Sequence, residues 1–272
     1  MNNLPIGVFD SGLGGLSAAR ELRRLMPKEK IIYFGDSARI PYGTRSTQTI
    51  KRYALQDAAF LKSMNVKAIL IACGTVSSTA MEYLKENIDV PIVGVVEPTV
   101  KRALQLSKNK KIGVLGTGAT VKSGAYIKEL YRQCADPQLQ VTQVACPLLV
   151  PLVENGYCDF ENKITRLVLS EYLKSIKESG ADTLILGCTH YPLIADMILD
   201  EWGGGITINS GKQAAKGLKE LLESCDLLCA EDQGAIELYS SDEMVNFSEQ
   251  AKIFLQNEEA VYMSTKINIE QY

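Results

Sequence analysis

Two thiols carry the clearest chemical signal in this sequence. Cys73 ends the apolar run AILIAC (68–73), and Cys188 ends DTLILGC (182–188). Such short apolar runs read as strands buried on both faces, and in open parallel sheets ligands gather at the C-terminal strand ends. A thiol titrates near ~8.5 in water and lower beside a cation, so it can serve as acid or base near neutral pH. Two thiols facing each other across a ligand would invert a stereocentre next to a carboxylate. One thiolate removes the α-proton, and the opposite thiol delivers another to the far face. His190, the one histidine, lies two residues after Cys188, and Asp10 ends the run IGVFD (6–10). They are candidate proton partners, one for each thiol. The other cysteines (134, 146, 158, 225 and 229) read as ordinary small hydrophobes.

An internal repeat singles out the pair. IGVFDSGLGGLSAA (6–19) aligns without gaps with IGVLGTGATVKSGA (112–125), setting Ser11 opposite Thr117. AILIACGTVSS (68–78) matches TLILGCTHYPL (183–193) in the same order, each delivering a Cys next to a Thr. Two matched segments in the same order imply a duplicated α/β unit. If the two units face each other, both thiols enter one cleft.

Four motifs fall at strand ends: DSGLGG (10–15), PYG (41–43), CGT (73–75) and CTH (188–190). DSGLGG is neither a phosphate loop, since no Lys follows, nor a G-x-G-x-x-G fingerprint. It reads as a tight strand-to-helix turn whose amides could bind a carboxylate. A carbanion beside a carboxylate needs hydrogen-bond donors, and Ser11, Thr75, Thr189 and the Gly43 amide are candidates.

The elements that must position these groups follow from periodicity. Strands are expected at 6–10, 31–36, 68–73 and 91–96, with helices at 14–26, 46–64 (capped by Ser46) and 76–87. A second series follows: strands 111–117, 140–146, 182–188 and 205–210, with helices 121–134, 159–179 and 193–201. The C-terminal part reads as helix 210–224, strand 236–241, helix 243–256 and strand 260–269. Strand–helix alternation predicts parallel sheets. The expected fold is therefore α/β, with two pseudo-symmetric lobes, each a mainly parallel sheet flanked by helices, and the site in the cleft between them. Residues 1–97 with 208–272 form one lobe, and 98–207 form the other.

Composition excludes several classes. The 272 residues carry a net charge of −3, with 29 Lys+Arg against 32 Asp+Glu, which favours neither nucleic acid nor an anionic membrane. No apolar run approaches the ~20 residues of a membrane span, and no signal peptide is read at the N-terminus. Seven scattered cysteines argue for a reducing, cytoplasmic compartment. Cys225 and Cys229 form a lone C-x3-C without a nearby His, so no metal site is expected.

The set D-S-G-x-G-G, PYG, A-C-x-T and G-C-T-H-Y-P-L, in this order along essentially the whole chain, resembles the glutamate racemases of the aspartate/glutamate racemase superfamily. The resemblance implies a cofactor-independent enzyme without pyridoxal phosphate or metal, binding glutamate between two α/β lobes and supplying D-glutamate for peptidoglycan synthesis. It implies Cys73 as the thiol acting on the D-enantiomer and Cys188 on the L-enantiomer, assisted by Asp10, His190 and Glu154. It assigns substrate contacts to Asp10, Ser11, Pro41, Tyr42, Gly43, Gly74, Thr75, Thr117, Thr189 and His190, and it implies a homodimer. The family pattern at the first thiol reads A-C-N-T-A, with the Asn touching substrate. This chain has Gly74 and Val76 there, leaving only the Gly74 backbone amide. Other readings remain open: a racemase of another amino acid such as aspartate, a superfamily decarboxylase or isomerase, a cysteine hydrolase using Cys188 and His190, or a non-catalytic amino-acid-binding protein.

Overall fold

The computed structural model describes residues 3–243, 247–256 and 263–272. The chain opens with β1 (Ile6–Asp10), every residue of which is buried, and α1 (Leu16–Leu25). β2 (Ile31–Gly35), α2 (Thr47–Ser63) and β3 (Ala68–Ile71) follow. Ser46 caps α2 by accepting from the Thr49 amide, as its position predicts. α3 (Gly74–Thr79), α4 (Met81–Asn87), β4 (Ile92–Gly94) and α5 (Val96–Leu106) complete the first run.

The second run comprises β5 (Lys111–Gly116), α6 (Gly118–Ser123), α7 (Ala125–Gln133), β6 (Gln140–Ala145), α8 (Leu149–Glu154) and α9 (Lys163–Ser179). It ends with β7 (Thr183–Leu186), α10 (Ala195–Trp202) and β8 (Ile206–Asn209). α11 (Ser210–Ser224), β9 (Ile236–Ser240), α12 (Phe247–Leu255) and β10 (Ser264–Lys266) close the chain.

Among the described residues every strand pairing is parallel. One sheet has the order β10-β9-β2-β1-β3-β4 and the other β6-β5-β7-β8. The run β2-β1-β3-β4 therefore has the same topology as β6-β5-β7-β8, with β1 corresponding to β5 and β3 to β7. That is the correspondence the internal repeat sets. Register agrees: Ile6 pairs with Ala68 in one sheet, and Ile112 with Thr183 in the other. The expected α/β architecture of two parallel, helix-flanked sheets is what the chain forms.

Several boundaries differ from the periodic reading, each for a local reason. The helix expected at 14–26 starts at Leu16, because the glycines of the turn hold Asp10 first. The helix expected over 76–87 begins at Gly74 and breaks at Ala80, whose backbone leaves the helical region. The helix expected at 121–134 is split by Gly124, which takes φ 65° and ends α6. The helix placed at 159–179 starts only at Lys163, where Asn162 caps it. A 3-10 turn, Tyr191–Ile194, precedes α10. α5 and α8 were not anticipated. For the helix expected at 243–256, residues 244–246 lie outside the described residues; for the strand at 260–269, so do 260–262. Among the described residues no helix is long and apolar enough to cross a membrane.

Candidate active site

The first thiol sits just past the end of β3. The strand is fully buried, so its main chain delivers Cys73 to the sheet edge with only 5% exposure. Cys73 Sγ donates to Ser11 Oγ at 3.6 Å. Asp10 closes the neighbouring strand, and its Oδ2 accepts from the Gly15 amide at 3.0 Å. Gly15 must be glycine, since a Cβ there would lie 2.5 Å from Asp10 Cβ. Asp10 Oδ1 is buried with no hydrogen-bond partner, so one carboxylate oxygen is left for a proton or an ammonium. Burial raises the Asp10 carboxyl above its ordinary range, with His190 opposing. Burial also pushes the Cys73 thiol up to about 12, and the Asp10 and Cys188 charges add to this.

The second thiol follows β7 in the equivalent place. Cys188 Sγ lies 3.7 Å from His190 Nδ1, and His190 Nε2 lies 3.0 Å from Glu154 Oε1. Glu154 ends α8, so the carboxylate, the imidazole and the thiol form a line running inward from the surface. Burial works against a charged His190, but the hydrogen bonds with Cys188 and Glu154 outweigh it and push the imidazole up to about 10. Near neutral pH the site thus holds a protonated Cys73 on one side and an imidazolium beside Cys188 on the other.

The segments that follow the strands of the two sheets meet directly. Thr75 Oγ1 and Thr117 Oγ1 are 2.9 Å apart, and Ser17 Oγ donates to the Thr189 carbonyl at 3.1 Å. Thr189 Oγ1 also reaches His190 Nδ1, at 3.4 Å. A Cβ on Gly43 would stand 3.0 Å from Thr117 Cβ, and one on Gly74 would meet Gly187. These contacts link Asp10, Ser11, Gly43, Cys73, Gly74, Thr75, Thr117, Glu154, Cys188, Thr189 and His190 into one cluster.

Tyr42 spends its side chain on its own lobe. Its phenol turns away from the thiols and lies, buried, between Asp36 and Asp57. Arg39 binds the same two carboxylates, at 2.6 Å and 2.9 Å. The PYG segment therefore faces the cleft with main chain, and its aromatic ring anchors the turn from behind. Pro41 precedes this turn through a cis Ile40–Pro41 bond and is exposed.

Sequence reasoning missed two supports. Phe254 of α12 sets its ring edge-on to His190, with centroids 5.4 Å apart, and nothing local to either residue signals that contact. Asp36 follows β2 at a strand end, the same position that drew attention to Asp10, and this was a usable signal. A cavity of about 630 Å³ opens elsewhere, between α4, α5, α7 and α11. Its cations Lys85, Lys101 and Arg132 pair with Glu82, Glu220 and Glu129. Two further cations line it, Lys51 over the Tyr83 ring and Lys128 donating to the Ser123 carbonyl, but neither thiol, nor Asp10 or His190, lies in its wall, so the thiol cleft is the candidate site.

Fold and cleft together define a two-lobed α/β protein of the racemase class, with a thiol from each sheet at the meeting of the strand ends. The model of the Asp/Glu/Hydantoin racemase family matches residues 15–224, and the chain belongs to that family. It is 44% identical over 255 residues to the glutamate racemase of Aquifex aeolicus (strain VF5), covering 94% of this chain and 95% of that protein. It is 40% identical over 252 residues to the glutamate racemase of Geobacter metallireducens, covering 92% of each. Among solved structures, glutamate racemase from Francisella tularensis subsp. tularensis SCHU S4 in complex with D-glutamate superposes with a TM-score of 0.92 at 36% identity, covering 100% of both chains.

Proposed function

We propose that this protein interconverts L- and D-glutamate, with Cys188 and Cys73 as opposed proton carriers. The observation that carries the reading is the matched placement of the two thiols. Each follows the equivalent strand of its sheet, and each has its own proton partner: Asp10 for Cys73, and His190 with Glu154 for Cys188.

The protonation pattern suits the L-to-D direction. Cys188 shares a proton with His190 and takes the α-proton of L-glutamate on one face. Cys73, held as a thiol by burial and by the Asp10 charge, delivers its proton to the other face. The intermediate carries negative charge on the α-carboxylate, where Ser11, Thr75, Thr117, Thr189 and the Gly43 and Gly74 amides are the proposed donors. Turnover leaves a Cys73 thiolate and a Cys188 thiol, the form that accepts D-glutamate. Asp10, with its carboxyl raised by burial and one oxygen unpartnered, is the base that shares the Cys73 proton. A substrate ammonium beside Asp10 would offset the charge that holds the Cys73 thiol up. Neither proton step in this reading calls on a cofactor.

The lobe boundaries proposed are 1–97 with 208–272, and 98–207; the strands divide between two sheets in that order, but β8 of the second sheet runs on to Asn209 and α5 begins at Val96, so both cuts fall inside an element. A cytoplasmic homodimer whose D-glutamate enters peptidoglycan synthesis completes the proposal; the likeness to proteins named glutamate racemase supports its glutamate substrate. The test is exchange of the α-hydrogen of L- or D-glutamate with deuterated water, without added pyridoxal phosphate. The reading predicts deuterium in both enantiomers. Absence of exchange with glutamate, aspartate and other common amino acids would refute it.

A further inference from the structure

Three glycines lie close against the opposite lobe at the seam. A Cβ on Gly43 would meet Thr117, and one on Gly14 would meet the side chains of Thr189 and His190. Gly74 differs in kind. A Cβ there would stand 2.1 Å from the Gly187 carbonyl oxygen, 3.2 Å from its carbonyl carbon and 3.8 Å from Cys188 Cα. All three are main-chain atoms of the segment that carries Cys188, and Gly74 immediately follows Cys73. The backbone hydrogen standing in place of that Cβ faces the Gly187 oxygen, a close Cα–H···O approach. The opposing main chain cannot simply step aside, because the Gly187 amide is bonded to the Leu115 carbonyl at 2.8 Å.

We propose that Gly74 is a positioning residue whose bare Cα sets the distance between the two thiols; the inference rests on the two-thiol reading above. Real Cβ atoms essentially never approach within 3.0 Å of another heavy atom. A contact at 2.1 Å must therefore open by at least about 0.9 Å, the difference of those two distances. The nearest neighbours of the added atom all belong to the Cys188 side, so the displacement widens the gap across the seam and leaves the packing of either lobe alone. Both proton transfers occur across that gap, and a misplacement of about 1 Å costs on the order of 100-fold in rate.

The test is Gly74→Ala, with Gly118→Ala as control. Gly118 also opens a short helix, but a Cβ there meets only the Gly43 oxygen at an ordinary 3.7 Å. Circular dichroism of glutamate gives kcat and KM from each enantiomer. Alkylation by iodoacetamide, mapped by peptide mass spectrometry, reads access to Cys73 and Cys188. For Gly74→Ala, kcat falls on the order of 100-fold from both enantiomers, KM changes far less, and both thiols alkylate faster. Gly118→Ala matches the parent in every reading. A Gly74→Ala protein with parental kcat, or with unchanged alkylation, overturns the proposal. So does one that fails to fold, because the side chain meets only the opposite lobe and alanine is locally favourable in a helix. A parent protein inert toward glutamate would refute the racemase reading instead, while alkylation still decides whether Gly74 sets the gap.

Discussion

Replacing Glu154 by Gln removes a charge from the line that ends at Cys188 while keeping shape and a hydrogen-bonding group. Glu154 Oε1 lies 3.0 Å from His190 Nε2, with side-chain exposures of 40% and 8%. Two unit charges at about 3 Å interact by roughly 5.5 kcal/mol at an effective dielectric of 20, and by roughly 1.4 kcal/mol in bulk water. The glutamate is more than a third exposed, so the pair sits toward the water end, at about 1 kcal/mol. That corresponds to about 0.7 of a pH unit in the titration of His190. The imidazole, held at about 10 in the parent, then loses its proton sooner. The alkaline limb of the kcat/KM profile moves down by roughly that amount. At neutral pH the Cys188 contact still favours the imidazolium, so kcat/KM falls by less than about tenfold. L- and D-glutamate are isoenergetic mirror images, so this fall must be equal from both sides, although kcat alone can differ. Circular dichroism progress curves from each enantiomer, run across pH, measure all of this. An alkaline limb that stays in place would refute the argument that Glu154 acts through His190. A loss above about 1,000-fold would show instead that the carboxylate acts directly on the reacting atoms, since a positioned acid–base group typically contributes 10²–10⁴-fold.

Three further outcomes follow from the same geometry. Cys73→Ala and Cys188→Ala should each reduce racemisation by at least about 10³-fold, measured as loss of optical rotation from either enantiomer; full activity in either variant would sink the two-thiol mechanism. Tyr42→Phe withdraws the phenol lying between Asp36 and Asp57. It should destabilise the fold by about 1.5–3 kcal/mol, read as a lowered melting temperature, and an unchanged melt would show that the network does not hold the turn. His190, raised from 6.5 to about 10 on folding, contributes stability that is fully present below pH 6.5 and lost as pH rises through about 10. Melting temperature should therefore fall across that window, and more steeply in the parent than in Glu154→Gln; equal slopes would contradict the assignment.

Particular residues show what the sequence determined by itself and what needed the tertiary structure. The burial of β1, β3, β5 and β7 was legible because a strand covered on both faces must be apolar throughout. The equivalence of Cys73 and Cys188 was legible because a duplicated unit repeats its strand ends. Asp10 and His190 could be paired with the thiols because each lies within a neighbouring motif. The breaks at Ala80 and Gly124 were hidden inside helical periodicity, which records the buried face of a segment and not the direction of its axis. The outward turn of the Tyr42 phenol depended on Asp36, Arg39 and Asp57 converging from separate elements, and the Phe254 ring reached His190 from the far end of the chain. Neither contact leaves a local trace, because each is fixed by how distant elements pack. Gly74 shows the division most clearly. The sequence marks it as a departure from a motif, but only the folded chain places the Gly187 carbonyl where its side chain would be.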